Sequence, residues 1–161
     1  MLGLSISKSG MTEKPPRGIC CHEAAHAVVA WSFALPVEEI YVVFDDLKGW
    51  FGGTDISAGS DSKLSLNDQI TNLAAGKTGE EVFACSAHEK SWLQDLGRVY
   101  KLLCGNNIPE EEHWSRIKVA CDRASPILET HRHKVLKLID RLAERGRVER
   151  SEFLQLMNRE E

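Results

Sequence analysis

Between residues 19 and 35 the chain is apolar at almost every position rather than on one face. Ala24, Ala25, Ala27, Val28, Val29 and Ala30 leave no solvent side, so this stretch predicts a helix over 18–35 that is buried nearly all round, stopped by Pro36. The pattern then changes period. Residues 37–44 are rich in branched and aromatic side chains and predict a strand, 45–49 a turn, and 50–57 a second extended segment. Gly52 and Gly53 interrupt that segment, as a bulge, a close backbone approach or a plain hairpin bend. After a polar loop over 58–64, Ser65 followed by Asp68 resembles a capping box with a shorter acid. It opens a helix with Leu66, Ile70, Leu73 and Ala74 on one face, and Gly76 and Gly79 in its continuation predict close packing against another element.

The second half reads as helices throughout. Ser91 caps a helix over 92–104, with Leu93, Leu96, Tyr100 and Leu103 at helical spacing and Gly105 at its end. Pro109 and three glutamates open a fourth helix, which Pro126 kinks or divides. Ile127, Leu128, Val135, Leu138, Ile139 and Leu142 carry the apolar stripe to Gly146, and a short helix over 151–158 follows. Residues 1–17 are polar and without period, which predicts a disordered leader in which Met11 is an alternative start. The expected architecture is a single domain over 18–158, mainly α with a small β-sheet (α+β).

Composition adds exclusions. With 161 residues, 42% hydrophobic and 27% charged, the chain is sized for one globular core. A net charge of −4 gives no basic field to attract nucleic acid or an anionic membrane. No apolar run reaches bilayer length and no signal-peptide pattern is present. Five cysteines, an odd number without C-x-x-C spacing, read as reduced thiols, which makes a cytoplasmic location the expectation. Cys20 and Cys21 read as small buried hydrophobes rather than ligands.

The candidate chemistry lies in the first helix, at His22-Glu23-Ala24-Ala25-His26. In a helix, side chains four apart are offset by only about 40° and rise about 6 Å, so His22 and His26 can offer imidazole nitrogens to one ion. Glu23 lies beside them, able to reach a water without being a ligand. Two surface histidines around a solvated glutamate would be the plain alternative. Three ionisable groups in an otherwise apolar helix argue for a metal instead, and zinc suits the donors. A third protein ligand is then needed. From spacing alone Asp95, Glu80, Glu81 and His88 all stay open, and Asp95 could equally be a solvated acid paired with Arg98. His131 and His133 would face opposite sides of a helix and read as surface residues, and His113 among glutamates suggests no site either.

Taken in order, H-E-A-x-H-A-V-V-A, the strand after Pro36, the glycine-bearing strand, the segment Leu73-Ala74-Ala75-Gly76-Lys77-Thr78-Gly79-Glu80-Glu81 and Asp95-Leu96 resemble the peptidase domain of FtsH-type proteases. The corresponding family segments read approximately HEAGHA, GGRAAEE and NDL, and the resemblance extends over roughly 18–157. It implies a zincin-like, mostly helical metallopeptidase fold in which His22 and His26 bind zinc, Asp95 is the third ligand and Glu23 is the catalytic glutamate. Ala25 stands where the family has Gly, and Gln94 where it has Asn. Neither a Walker A loop nor a membrane anchor occurs in the sequence, so the domain is expected to work without its own ATPase motor.

The function so implied is a zinc-dependent endopeptidase acting on unfolded or flexible protein segments, with Glu23 taking a proton from the attacking water and passing it to the leaving amine. An edge strand within 37–57 would align the peptide, and Glu80 or Glu81 would orient a histidine. The expected partner is a protein or peptide substrate, not nucleic acid or membrane; a homo-oligomer or a separate ATPase partner stays open. The alternative is a degenerate peptidase-like module with structural zinc that binds a protein partner. A protease dedicated to one regulator is a third reading.

Overall fold

The computed structural model describes residues 13–87 and 89–159. Most of the expected leader therefore lies outside the described residues, although Arg17 already belongs to the first helix. Among the described residues the chain is mainly helical, with six α-helices and one three-stranded antiparallel sheet.

Helix α1 (Arg17–Ser32) is the centre of the molecule. It packs on the sheet and on three later helices, and Ile19, Ala24, Ala25, Ala27, Val28 and Val29 are at most 2% exposed. It ends three residues before the expected 35. Ala34 takes a left-handed φ of 58°, and the amides of Ala34 and Leu35 reach back to the Trp31 and Ala30 carbonyls at 2.9 and 3.0 Å. That pair of bonds closes the helix before Pro36, whose predecessor cannot stay helical.

Strands β1 (Val37–Asp45) and β2 (Gly49–Ile56) form a hairpin. Asp45 Oδ1 accepts from the Leu47 and Lys48 amides at 2.8 and 2.9 Å, and Gly49 supplies a φ of +75°. Pairing is unbroken from Glu39↔Asp55 to Asp45↔Gly49, so Gly52 and Gly53 are not a bulge; the irregularity lies at Val37/Glu39. Each glycine is instead a close approach, on opposite faces of the strand. A Cβ on Gly53 would meet the Tyr41 ring at 2.9 Å or less, and one on Gly52 would meet Glu23 Cγ at 2.6 Å.

Helix α2 (Leu66–Val82) starts as expected, with Ser65 Oγ accepting from the Asp68 amide at 3.1 Å. The Asp68 carboxylate does not complete a reciprocal box; it pairs with Arg123. Helix α3 (Glu89–Gly105) begins three residues earlier than the spacing predicts, so Ser91 lies inside it rather than at its cap. Its buried face is also rotated: Asp95, Val99 and Leu103 point inward, while Leu93 and Tyr100 are 60% and 38% exposed. Helix α4 (Glu110–Thr130) continues through Pro126 without being divided by it, and His131 separates it from α5 (Arg132–Arg145). The packed α2–α4 contact, with Ile70, Ala74, Ile117 and Ala120 in a second core, holds α4 together despite the lost amide.

Gly146, at φ 75°, ends α5, and a strand that the sequence did not signal follows: β3 (Arg147–Glu149). It pairs with β1 through Glu39↔Glu149 and Tyr41↔Arg147, giving the order β2-β1-β3. Three residues with only Val148 buried are too few to show a two-residue period. Helix α6 (Arg150–Asn158) closes the main core with Phe153, Leu156 and Met157. No described helix is long and apolar enough to cross a membrane.

Candidate metal centre

Because α1 is buried on every side, its polar residues must face partners rather than water. His22 and Glu23 are 2% and 6% exposed, and His26 is half-buried. Two elements meet His22 and His26. Helix α2 crosses at Gly76, where an added Cβ would stand 2.5 Å from His22 Cε1 and from His26 Nε2. A glycine there is thus a steric requirement of the two imidazoles. From α3 comes Asp95, 5% exposed, with Oδ2 at 2.9 Å from His22 Nε2 and 3.0 Å from His26 Nε2. The two Nε2 atoms are 3.1 Å apart.

The opposite ring nitrogens fix what these three atoms are. His22 Nδ1 lies 2.7 Å from Glu80 Oε1, and His26 Nδ1 lies 3.0 Å from the Asn72 carbonyl. Both partners are acceptors, so both Nδ1 atoms carry hydrogen and both neutral rings present a bare Nε2 lone pair. Two lone pairs and a carboxylate oxygen then converge within about 3 Å, an arrangement that repels itself unless a cation sits among them. In the absence of metal that cation is a proton. Burial works against a charged His22, but its bonds to Asp95 and Glu80 raise its pKa to about 9. Burial likewise opposes the Asp95 carboxylate, yet the charge of His26 and bonds from both rings hold it well below the usual range.

His22, His26 and Asp95 can therefore hold a metal ion, their ligand atoms lying within 4.8 Å of one another. Ligand atoms at about 2.0–2.1 Å from a tetrahedral ion stand about 3.3 Å apart, so the trio would need to open by only a few tenths of an ångström. Two imidazoles and one carboxylate also match, in number and type, the protein donors that leave a metal one open position.

The remaining candidates sort clearly. Glu80 is buried but faces the far side of the His22 ring, with its other oxygen accepting from the Ala87 amide at 3.1 Å. Desolvation opposes its charge, but His22 and that amide keep its pKa lowered. Glu81 and Arg98 are exposed, and His88 lies outside the described residues. Cys20 and Cys21 are fully buried; Cys21 Sγ donates to the Gly79 carbonyl at 3.4 Å, and burial raises the Cys20 thiol to about 11. His113 is 5% exposed rather than a surface residue, but it serves the fold, with Nε2 at 2.9 Å from the Ile108 carbonyl. His131 packs edge-on against Trp31, and His133 is exposed.

Glu23 points from α1 toward β2. Thr54 Oγ1 lies 2.9 Å from both the Glu23 carboxylate Oε2 and the Glu23 carbonyl. Burial raises the Glu23 pKa, partly offset by the two histidines and Thr54. Neither Thr54 nor the Asn72 carbonyl stands out in the sequence. The only available signal was Gly52, two residues before Thr54 and so on the same strand face.

No protein-family model matches the chain, and no curated protein matches it.

Proposed function

We propose that this chain is a zinc-dependent endopeptidase with a zincin-like fold of the FtsH peptidase type, hydrolysing peptide bonds in unfolded or flexible protein segments without ATP. The observation that carries the reading is the convergence of two bare imidazole nitrogens and a carboxylate oxygen within 3.1 Å, beside a buried carboxylate that is not one of them. Zinc is the metal best suited to that donor set, and bound there it would supply Lewis acidity and a water that ionises near neutral pH.

His22, His26 and Asp95 are the residues that would hold it, and Glu80 and the Asn72 carbonyl fix the two rings by accepting their Nδ1 hydrogens. Glu23 accepts the proton of the attacking water and returns it to the leaving amine. Its raised pKa favours that double role, since a carboxylate of ordinary acidity holds a proton too weakly near neutrality. Strand β2 is at the sheet edge, where an extended substrate can add main-chain hydrogen bonds.

A compensated pair of small residues further supports the family reading. The resembled family has Gly where this chain has Ala25, and its GRAAEE segment has Ala where this chain has Gly79. The two positions pack on each other: a Cβ on Gly79 would fall inside contact distance of Ala25 Cβ. The methyl that the family segment carries at the second position is carried here at the first.

The substrate is protein or peptide, and the compartment the cytoplasm. The deciding experiment is metal content together with cleavage of an unstructured peptide, on wild type and Glu23→Gln. Wild type should contain one zinc and cleave; the variant should keep zinc and lose cleavage. Zinc-replete wild type that cleaves no flexible substrate would instead favour a partner-binding module with structural zinc.

A further inference from the structure

Strand β2 faces α1 with every second residue, and two successive positions on that face, Gly52 and Thr54, both bear on Glu23. Gly52 provides the space. With a Cβ there, Glu23 Cγ would be 2.6 Å away and Oε1 3.0 Å away, so any side chain would push the carboxylate off the strand. Thr54 provides the contact, with Oγ1 at 2.9 Å from Oε2. The same hydroxyl is equally close to the Glu23 main-chain carbonyl. It is therefore tied to the backbone of the residue whose side chain it holds.

We infer that Thr54 is a positioning residue for Glu23, holding Oε2 so that Oε1 is the oxygen presented to the reacting water; this rests on the peptidase reading above. A hydroxyl has one hydrogen and can also accept. While Glu23 is a carboxylate, the Thr54 hydrogen is shared between Oε2 and the Glu23 carbonyl. The proton taken from the water arrives on Oε1, so Oε2 stays an acceptor and keeps its contact with the Thr54 hydroxyl. One contact thus holds the carboxyl group in place while the proton arrives at and leaves the other oxygen. Branching at Cβ restricts the Thr54 rotamer and keeps the hydroxyl aimed at α1.

The test uses Thr54→Val, which keeps the shape and loses the hydroxyl, and Thr54→Ser, which keeps the hydroxyl. With zinc-loaded full chain and an unstructured peptide, Thr54→Val should lower kcat about 10- to 100-fold with KM and zinc stoichiometry unchanged, the scale expected for a misplaced reacting group. Thr54→Ser should stay within about threefold of wild type, the small loss expected when the contact is kept and only its orientation loosened. A second readout needs neither zinc nor activity: the ¹³C resonance of the Glu23 carboxyl in zinc-free protein at fixed pH should move in Thr54→Val and hold in Thr54→Ser. Wild-type kcat in Thr54→Val would overturn the inference, as would equal losses in the Val and Ser variants. If wild type cleaves nothing, the peptidase reading fails by itself. The carboxyl resonance then decides this inference alone: movement in Val only upholds the contact, and no movement removes it.

Discussion

The Ala25–Gly79 contact gives the sharpest quantitative test of how α1 and α2 set the metal centre. Gly79→Ala would place two methyl carbons more than about 1 Å closer than their optimal separation of roughly 3.5–4.0 Å. Ala25 is fully buried and belongs to the main core, so the overlap cannot be relieved toward solvent. Overpacking of this kind costs about 2–3 kcal/mol, and replacing a helical Gly by Ala returns about 1 kcal/mol, leaving a net loss of about 1–2 kcal/mol. Ala25→Gly alone should cost about 1 kcal/mol through helix propensity. In the double variant the propensity changes cancel and the overlap is gone, so stability should return to within about 0.5 kcal/mol of wild type. The resulting coupling of about 2–3 kcal/mol is at the upper end for residues in contact. Urea denaturation of the four proteins in chelator measures it. Zinc affinity should follow the same order, because Gly76, one turn away, sets the room for both imidazoles. Additivity of the two single variants within about 0.5 kcal/mol would refute the packing argument.

Three further outcomes can be checked directly. Asp95→Ala should remove zinc from purified protein, Glu80→Gln should weaken it about 10- to 100-fold through the His22 ring, and Glu81→Ala should leave it unchanged; equal retention in all three, by metal analysis, would dismantle the assignment. Zinc affinity should depend on pH. His22 must give up its proton to bind metal, and its metal-free pKa is raised to about 9, so affinity should increase as pH rises toward 9 and fall by up to about tenfold per unit below it. A flat titration-calorimetry profile between pH 6 and about 9, after buffer correction, would contradict the sign. Finally, a flexible or denatured substrate should be cut while the same protein stays intact when folded, and ATP should have no effect; a gel time course showing comparable cleavage of the folded form would end that reading.

Features carried by one element were readable from the chain. His22, Glu23 and His26 needed only the helical period to be placed together, and the surrounding alanines and valines to be placed inside. Ser65 as a cap and Gly76 and Gly79 as a close contact were likewise legible, because capping and the absence of a side chain act within one or two turns. What needed two elements was not legible from spacing. Spacing left Asp95 open against Glu80, Glu81 and His88 as third ligand, since no local period says which residue of a later helix turns toward an earlier one. Packing brings Asp95 to the two histidines: α3 buries Asp95, Val99 and Leu103 rather than the expected stripe through Leu93 and Tyr100, and α2 turns Glu80 in and Glu81 out. The same holds for β3, whose three residues become a strand only because β1 offers an edge, and for α4, which runs through Pro126 against α2. Thr54 is the clearest case. Its hydroxyl acquires a role only when an antiparallel hairpin lays β2 against α1, 31 residues away in sequence from Glu23. The local backbone period fixes the direction of neighbouring side chains, whereas a partner across the core is fixed by the packing of whole elements, which no short window of sequence contains.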